Sequence, residues 1–115
     1  MQSLQQIINV LETVAPLSLQ ESYDNSGLVY GDPTKMINTA IAALDLTEEV
    51  IQEAVKLNAE LIILHHPPIF KPIKRLSHHD ITSRLIIQAI KSDIAIYACH
   101  TNLDNVYIAI SDLMA

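Results

Sequence analysis

From the N-terminus, apolar residues recur at helical spacing: Leu4, Ile7, Ile8, Leu11 and Val14 share one face. Ser3 and Gln6 are placed as a capping box and Pro16 as a stop, so the pattern predicts an amphipathic helix from Leu4 to Ala15. A polar stretch, Glu21 to Gly27, leads into Leu28-Val29-Tyr30, a short strand held between turns at Gly27 and Gly31. Asp32-Pro33 opens another turn. Ile37 to Leu46 is rich in Ile, Ala and Leu with little alternation, the pattern of a strand buried on both faces. Thr47 then caps a helix whose first turn carries Glu48 and Glu49 at the positive end of the helix dipole. Its apolar side is Val50, Ile51, Ala54, Val55 and Leu57.

The second half repeats this order. Leu61-Ile62-Ile63-Leu64 is an apolar run of strand length, ended sharply by His65-His66-Pro67-Pro68. A polar loop, Ile69 to Asp80, leads to a helix with Ile81, Leu85, Ile86, Ala89 and Ile90 on its buried side and Ser77 or Asp80 as N-cap. Ile94 to Cys99 reads as another buried strand, His100 to Asn105 as a loop, and Val106 to Met114 as the start of a last helix. Strands alternating with helices predict an α/β fold in one domain, a mostly parallel sheet with helices packed on its faces.

Composition narrows the function classes. A chain of 115 residues can bury roughly two-thirds of its unfolded surface in a single core. With half its residues apolar, 17% charged and a mean hydropathy of +0.25, it is too hydrophobic to be disordered. Thirteen acidic against seven basic residues give a net charge of −6, which makes nucleic acid a poor partner. No apolar run approaches the ~18 residues of a membrane span. The single cysteine, Cys99, cannot form an internal disulfide, and the N-terminus lacks the pattern of a signal peptide, so a cytoplasmic protein is expected. The apolar surplus calls for a cover, either a subunit interface or a second half of the same polypeptide.

In open parallel sheets ligands bind beyond the carboxyl ends of the strands. There the chain places His65 and His66 after one strand, and His100, Thr101, Asn102 and Asp104 after the next. Imidazole nitrogen and carboxylate oxygen suit zinc, iron, manganese and similar divalent cations. Consecutive residues of an extended segment point to opposite sides, so His65 and His66 would serve two neighbouring ions more readily than one. As a bare dipeptide the pair would be two ordinary loop histidines; its place at a strand end, opposite a loop with His and Asp, favours ligation. His78-His79-Asp80 has similar composition but precedes a helix and reads as exposed loop and cap. His100 is open to three roles: ligand, proton shuttle or orienter of Asp104. Cys99 reads as core packing. Asp24 and Asn25 form a local turn and could also face the site. No glycine spacing matches a phosphate-cradling loop.

Three motifs in order, Tyr23-Asp24-Asn25-Ser26-Gly27-Leu28 with Gly31, His65 to Phe70, and His100-Thr101-Asn102-Leu103-Asp104, resemble the N-terminal half of the Nif-three-like family, also named GTP cyclohydrolase 1 type 2 homologues. The family often has Trp where Tyr23 stands, and usually two glycines where this chain has Ile108 and Ala109. The resemblance implies an α/β subunit of two similar halves, the C-terminal one absent from this chain, assembled as a toroidal homohexamer. It also implies a dinuclear divalent-metal site: His65 and His66 as ligands, one per ion, and Asp104 as a third. The family's further histidine and glutamate ligands lie near the C-terminus of the longer chain and have no counterpart here.

The leading expectation is therefore a metal-dependent hydrolase in which His65, His66 and Asp104 hold two divalent cations that activate water. Taken literally, the family name implies attack on the guanine imidazole ring of GTP with loss of formate. Another phosphorylated or cyclic small molecule fits the same ligands. The alternatives are a non-enzymatic metal-binding scaffold whose ring assembly is the function, and a domain with no site.

Overall fold

Local signals start each helix where the sequence pattern places it. The computed structural model describes residues 1–19, 25–69 and 73–99. Helix α1 (Leu4–Val14) opens on a reciprocal capping box: the Gln6 amide donates to Ser3 Oγ at 3.2 Å, and the Ser3 amide to Gln6 Oε1 at 2.9 Å. Helix α2 (Glu48–Lys56) starts at Thr47, whose Oγ1 accepts from the Val50 amide. Helix α3 (Ile81–Lys91) starts at Asp80, which accepts from both the amide and the hydroxyl of Ser83. Asp80, not Ser77, is thus the cap.

Helices α2 and α3 end identically. Asn58 (φ 55°) and Asp93 (φ 57°) turn the chain through the left-handed region. The next amides, Ala59 and Ile94, reach back to the carbonyls of Ala54 and Ala89, so orphan carbonyls are satisfied and the chain is thrown directly into a strand.

The strands are β1 (Gln2–Ser3), β2 (Gly27–Tyr30), β3 (Met36–Ile37), β4 (Ala40–Ala43), β5 (Leu61–Leu64) and β6 (Ala95–Ala98). The main sheet has the order β2-β6-β5-β4, with β4, β5 and β6 parallel and β2 antiparallel at one edge. Strands β1 and β3 form a separate antiparallel pair. The mostly parallel α/β fold expected from the sequence is the fold observed.

Two crossovers, through α2 and α3, put both helices on one face. There Ile51, Ala54, Leu85, Ile86 and Ala89 pack on Ile62, Leu64 and Ile96. The opposite face is packed by α1, with Leu4 and Ile8 against Leu61, Ala95, Tyr97 and Cys99. Alternate residues of β6 enter the two layers, and all four are buried.

Three expectations are corrected. Residues 37–46 do not form one strand buried on both faces. The chain bends at Asn38 and Thr39, whose amides both donate to the Glu60 carboxylate at 2.7 and 3.1 Å, and β4 beyond the bend is an edge strand with Ala40 and Ala42 exposed. Ile81 and Ile90 are exposed on α3, where Ser83 is buried instead because it is tied to the Asp80 cap. Val14, Val55 and Leu57 likewise face outward. The expected last helix, residues 106–114, lies outside the described residues.

Gly31 (φ +151°) passes between α1 and β6 so closely that a Cβ there would lie 2.8 Å from the Ala95 Cβ and 2.9 Å from Leu4 Cδ2. Gly31→Ala therefore adds both a clash and a disfavoured backbone conformation, and should destabilise the fold by about 1–3 kcal/mol. Urea denaturation checks this; an unchanged midpoint would contradict the packing described.

Candidate metal centre

The parallel ladder stops in register. Ala43, Leu64 and Ala98 occupy one row across β4, β5 and β6. Backbone bonds carry the register one step further: the His65 amide donates to Ala43 O (3.1 Å), the His66 amide to Leu44 O (2.9 Å) and the Cys99 amide to Leu64 O (2.8 Å). Leu44, His65 and Cys99 thus follow in the next row, and Asp45 and His66 in the row after it.

Each imidazole is oriented by a neighbour on an adjacent strand end. His65 Nδ1 lies 2.9 Å from the Cys99 carbonyl, and His66 Nδ1 lies 2.7 Å from Asp45 Oδ1. A carbonyl or carboxylate oxygen only accepts, so Nδ1 carries the proton in both rings. The lone pair of each neutral ring then sits on Nε2, the atom that would ligate a metal. Carboxylate or carbonyl partners on the second nitrogen are the usual way such ligands are aligned and made more basic. The rings sit with centroids 5.0 Å apart and planes inclined by 48°, neighbours without being stacked.

The preceding loop is tied to the same end of the sheet. Asn25 Nδ2 donates to the carbonyl of Ile69 at 2.6 Å, joining the segment before β2 to the loop that follows the histidines. Pro67 is buried, which with its fixed φ limits the conformations open to that loop.

Of the residues singled out from sequence, His65 and His66 are brought together. Asp104, His100 and Asp24 lie outside the described residues. His78 and His79 are exposed ahead of the α3 cap. Asp45 was missed, although the rule that located the histidines also locates it: it follows a parallel strand, but the expected strand ran to Leu46 and absorbed it. Among the described residues no group of three or more His, Cys, Asp or Glu side chains is placed to hold a metal ion. The donor chemistry of the histidine pair nevertheless fits a borderline divalent cation, as part of a ligand set.

Behind the pair the core is buried and largely apolar. Cys99 is 6% exposed and burial pushes its thiol pKa up, so it is a packing residue and not an activated nucleophile. Tyr97 is 1% exposed; its hydroxyl has no hydrogen-bond partner among the described residues. Burial first, and then the neighbouring Cys99 and Glu12, push its pKa up to about 12.

The family model described as Duf34/NIF3 (NGG1p interacting factor 3) matches residues 2–115. A Clostridium perfringens protein named GTP cyclohydrolase 1 type 2 homolog is 44% identical over 111 residues, 96% of this chain and 42% of that protein. Human NIF3-like protein 1 is 41% identical over 102 residues, 88% of this chain and 27% of its own length. The crystal structure of a Bacillus cereus protein related to NIF3 superposes with a TM-score of 0.85 at 42% identity, covering 90% of this chain and 28% of the other. The chain thus spans less than half the length of each of these relatives.

The Tyr97 environment gives a pH prediction. Below about pH 10 the phenol is protonated in both folded and unfolded chains and contributes no pH dependence; between about pH 10 and 12 only the unfolded chain ionises, so stability falls as pH rises. In a spectrophotometric titration of the phenols a phase near pH 12 is expected, and Tyr97→Phe should remove it. A titration unchanged above about pH 11 by Tyr97→Phe would contradict it.

Proposed function

The chain belongs to the Duf34/NIF3 family, and we propose that it supplies the histidine side of a divalent-metal centre used to hydrolyse a small molecule. The observation that carries this reading is the pair of Nδ1 hydrogen bonds, His65 to Cys99 O and His66 to Asp45, which present two Nε2 lone pairs from one sheet edge. In this reading His65 and His66 each serve one of two cations of the zinc, iron or manganese type, and Asp104 adds a carboxylate. Bound there, such cations would supply a water of near-neutral pKa and a Lewis-acidic clamp on substrate oxygens. The chain's own residues hold and orient. Asp45 and the Cys99 carbonyl fix the rings, and Asn25 ties down the adjoining loop.

The relatives' printed name, GTP cyclohydrolase 1 type 2 homolog, suggests a nucleotide or another phosphorylated small molecule as substrate. A second reading, a metal-binding scaffold in a homo-oligomeric ring such as a toroidal hexamer, draws on the outward-facing Val14, Leu44 and Val55, apolar side chains that a subunit interface would cover. Turnover separates the two. Metal-dependent product from GTP or from a panel of phosphorylated metabolites, incubated with the complete polypeptide, supports the hydrolase; none supports the scaffold.

Metal content tests both. His65→Ala and Asp104→Ala should strip divalent metal from the purified complete polypeptide, and Asp45→Asn should weaken retention by about 10–100-fold through loss of ring orientation. Equal metal in all samples would sink the proposal.

A further inference from the structure

The cations of this chain are not spread evenly. Residues 73–84, between the histidine pair and the body of α3, carry Lys74, Arg75 and Arg84 against one acid, Asp80, a net of +2. The rest of the chain holds four basic against twelve acidic residues, a net of −8. Asp80 is committed to the α3 cap, where it accepts from the amide and hydroxyl of Ser83. Lys74, Arg75 and Arg84 are exposed, as are His78 and His79. Among the described residues the three cations form no ion pair, whereas Lys35, at the opposite end of the strands, is paired with Asp93.

Topology places this segment beside the histidines. Strands β5 and β6 are parallel and joined through α3, so α3 starts at the edge where β5 ends and His65 and His66 stand. The turn ahead of it is fixed: Ser77 Oγ accepts from the His79 amide and the Ser77 carbonyl from the Asp80 amide, both at 3.2 Å. Helix α2 starts at this edge for the same reason. Between the two helix starts lies a cavity of about 430 Å³ lined by Leu46, Thr47, Glu48, Glu49, Ile81 and Arg84, among others. Leu46 directly follows Asp45, the residue that holds His66 Nδ1. Cavity and basic turn thus lie on the α2–α3 side of the proposed metal centre.

We propose that Lys74, Arg75 and Arg84 are the phosphate-binding part of the substrate site, holding a phosphorylated small molecule whose reacting atoms face the histidine pair; the second half of this statement rests on the metal-centre reading above. Lysine offers a compact charge and each guanidinium a planar fork, donors that match phosphate oxygens. On a chain that otherwise repels anions, this is where a free anion collects. Glu48 and Glu49, on the α2 side of the cavity, repel phosphate and direct it toward the basic turn. Size favours a metabolite over an acidic protein: the cavity has the volume of a small-molecule site, whereas a stable protein interface covers ~800 Å² on each partner.

Calorimetric titration of the complete polypeptide with pyrophosphate tests this, at fixed low ionic strength, after chelator treatment and with circular dichroism reporting the fold. Lys74→Gln with Arg75→Gln should weaken binding at least about tenfold, and Arg84→Gln alone about threefold. Lys56→Gln with Lys91→Gln removes the same charge from the last turns of α2 and α3 and should leave affinity within about twofold. Equal loss in both double variants, or loss in neither, would overturn the proposal. So would binding confined to metal-loaded protein and indifferent to Lys74 and Arg75, which places the anion on the metal alone. Polyglutamate bound more tightly than pyrophosphate, with the same dependence on Lys74 and Arg75, would identify an acidic protein as the ligand and overturn it too. Metal measured on the protein as purified keeps the two proposals apart. Pyrophosphate binding by a polypeptide that retains no metal removes the metal centre and leaves the anion site; retained metal with no pyrophosphate binding does the reverse.

Discussion

Three parallel strands that stop in the same row organise this molecule. Because Ala43, Leu64 and Ala98 are aligned, the residues after them must emerge together at one edge, whatever their side chains. A slip of one residue between β5 and β6 would move the Cys99 carbonyl away from His65 and reverse the faces of Tyr97 and Ile96. The packing of both core layers and the alignment of both imidazoles therefore depend on one register. That register is held by the central position of β6, buried on both faces, and by the paired helix ends at Asn58 and Asp93, which deliver the chain into β5 and β6 by the same backbone geometry.

The site draws on this frame in a specific way. Two adjacent histidines would ordinarily diverge and move as loop residues. Here each Nδ1 is held by a group from a neighbouring strand end, His65 by a backbone carbonyl and His66 by the Asp45 carboxylate. The carbonyl is fixed by the ladder, so the His65 orientation is part of the fold. The Asp45 contact is more exposed, at 46% for the His66 side chain and 62% for Asp45, so it contributes little to stability. Its contribution is to orientation, leaving the lone pair of the neutral ring on Nε2.

What could be read from the sequence follows the range of the forces involved. The helix starts at Ser3, Thr47 and Asp80 and the apolar runs of β5 and β6 were legible because capping and periodicity act within a few residues. The break at Asn38-Thr39 was not, since it depends on Glu60, some twenty positions away and on another element. The exposed face of β4 was hidden for a related reason: small apolar residues look alike in a central strand and at an edge. Asp45 was hidden at the other end, because Leu44 and Leu46 on either side of it continue the apolar run past the last residue of β4. The histidine pair was legible because its position after β5 carries the chemistry, and no distant contact had to be known.

The most direct test of the frame is the protonation pattern of the two rings in metal-free protein. Nitrogen-15 NMR of the imidazoles at alkaline pH, with His65→Gln and His66→Gln for assignment, distinguishes a proton on Nδ1 from one on Nε2. Both rings should be Nδ1–H tautomers, and Asp45→Asn should alter His66 while leaving His65 unchanged. Nε2–H tautomers at both positions would mean that the strand ends do not orient the pair, and the proposed centre would lose its structural basis.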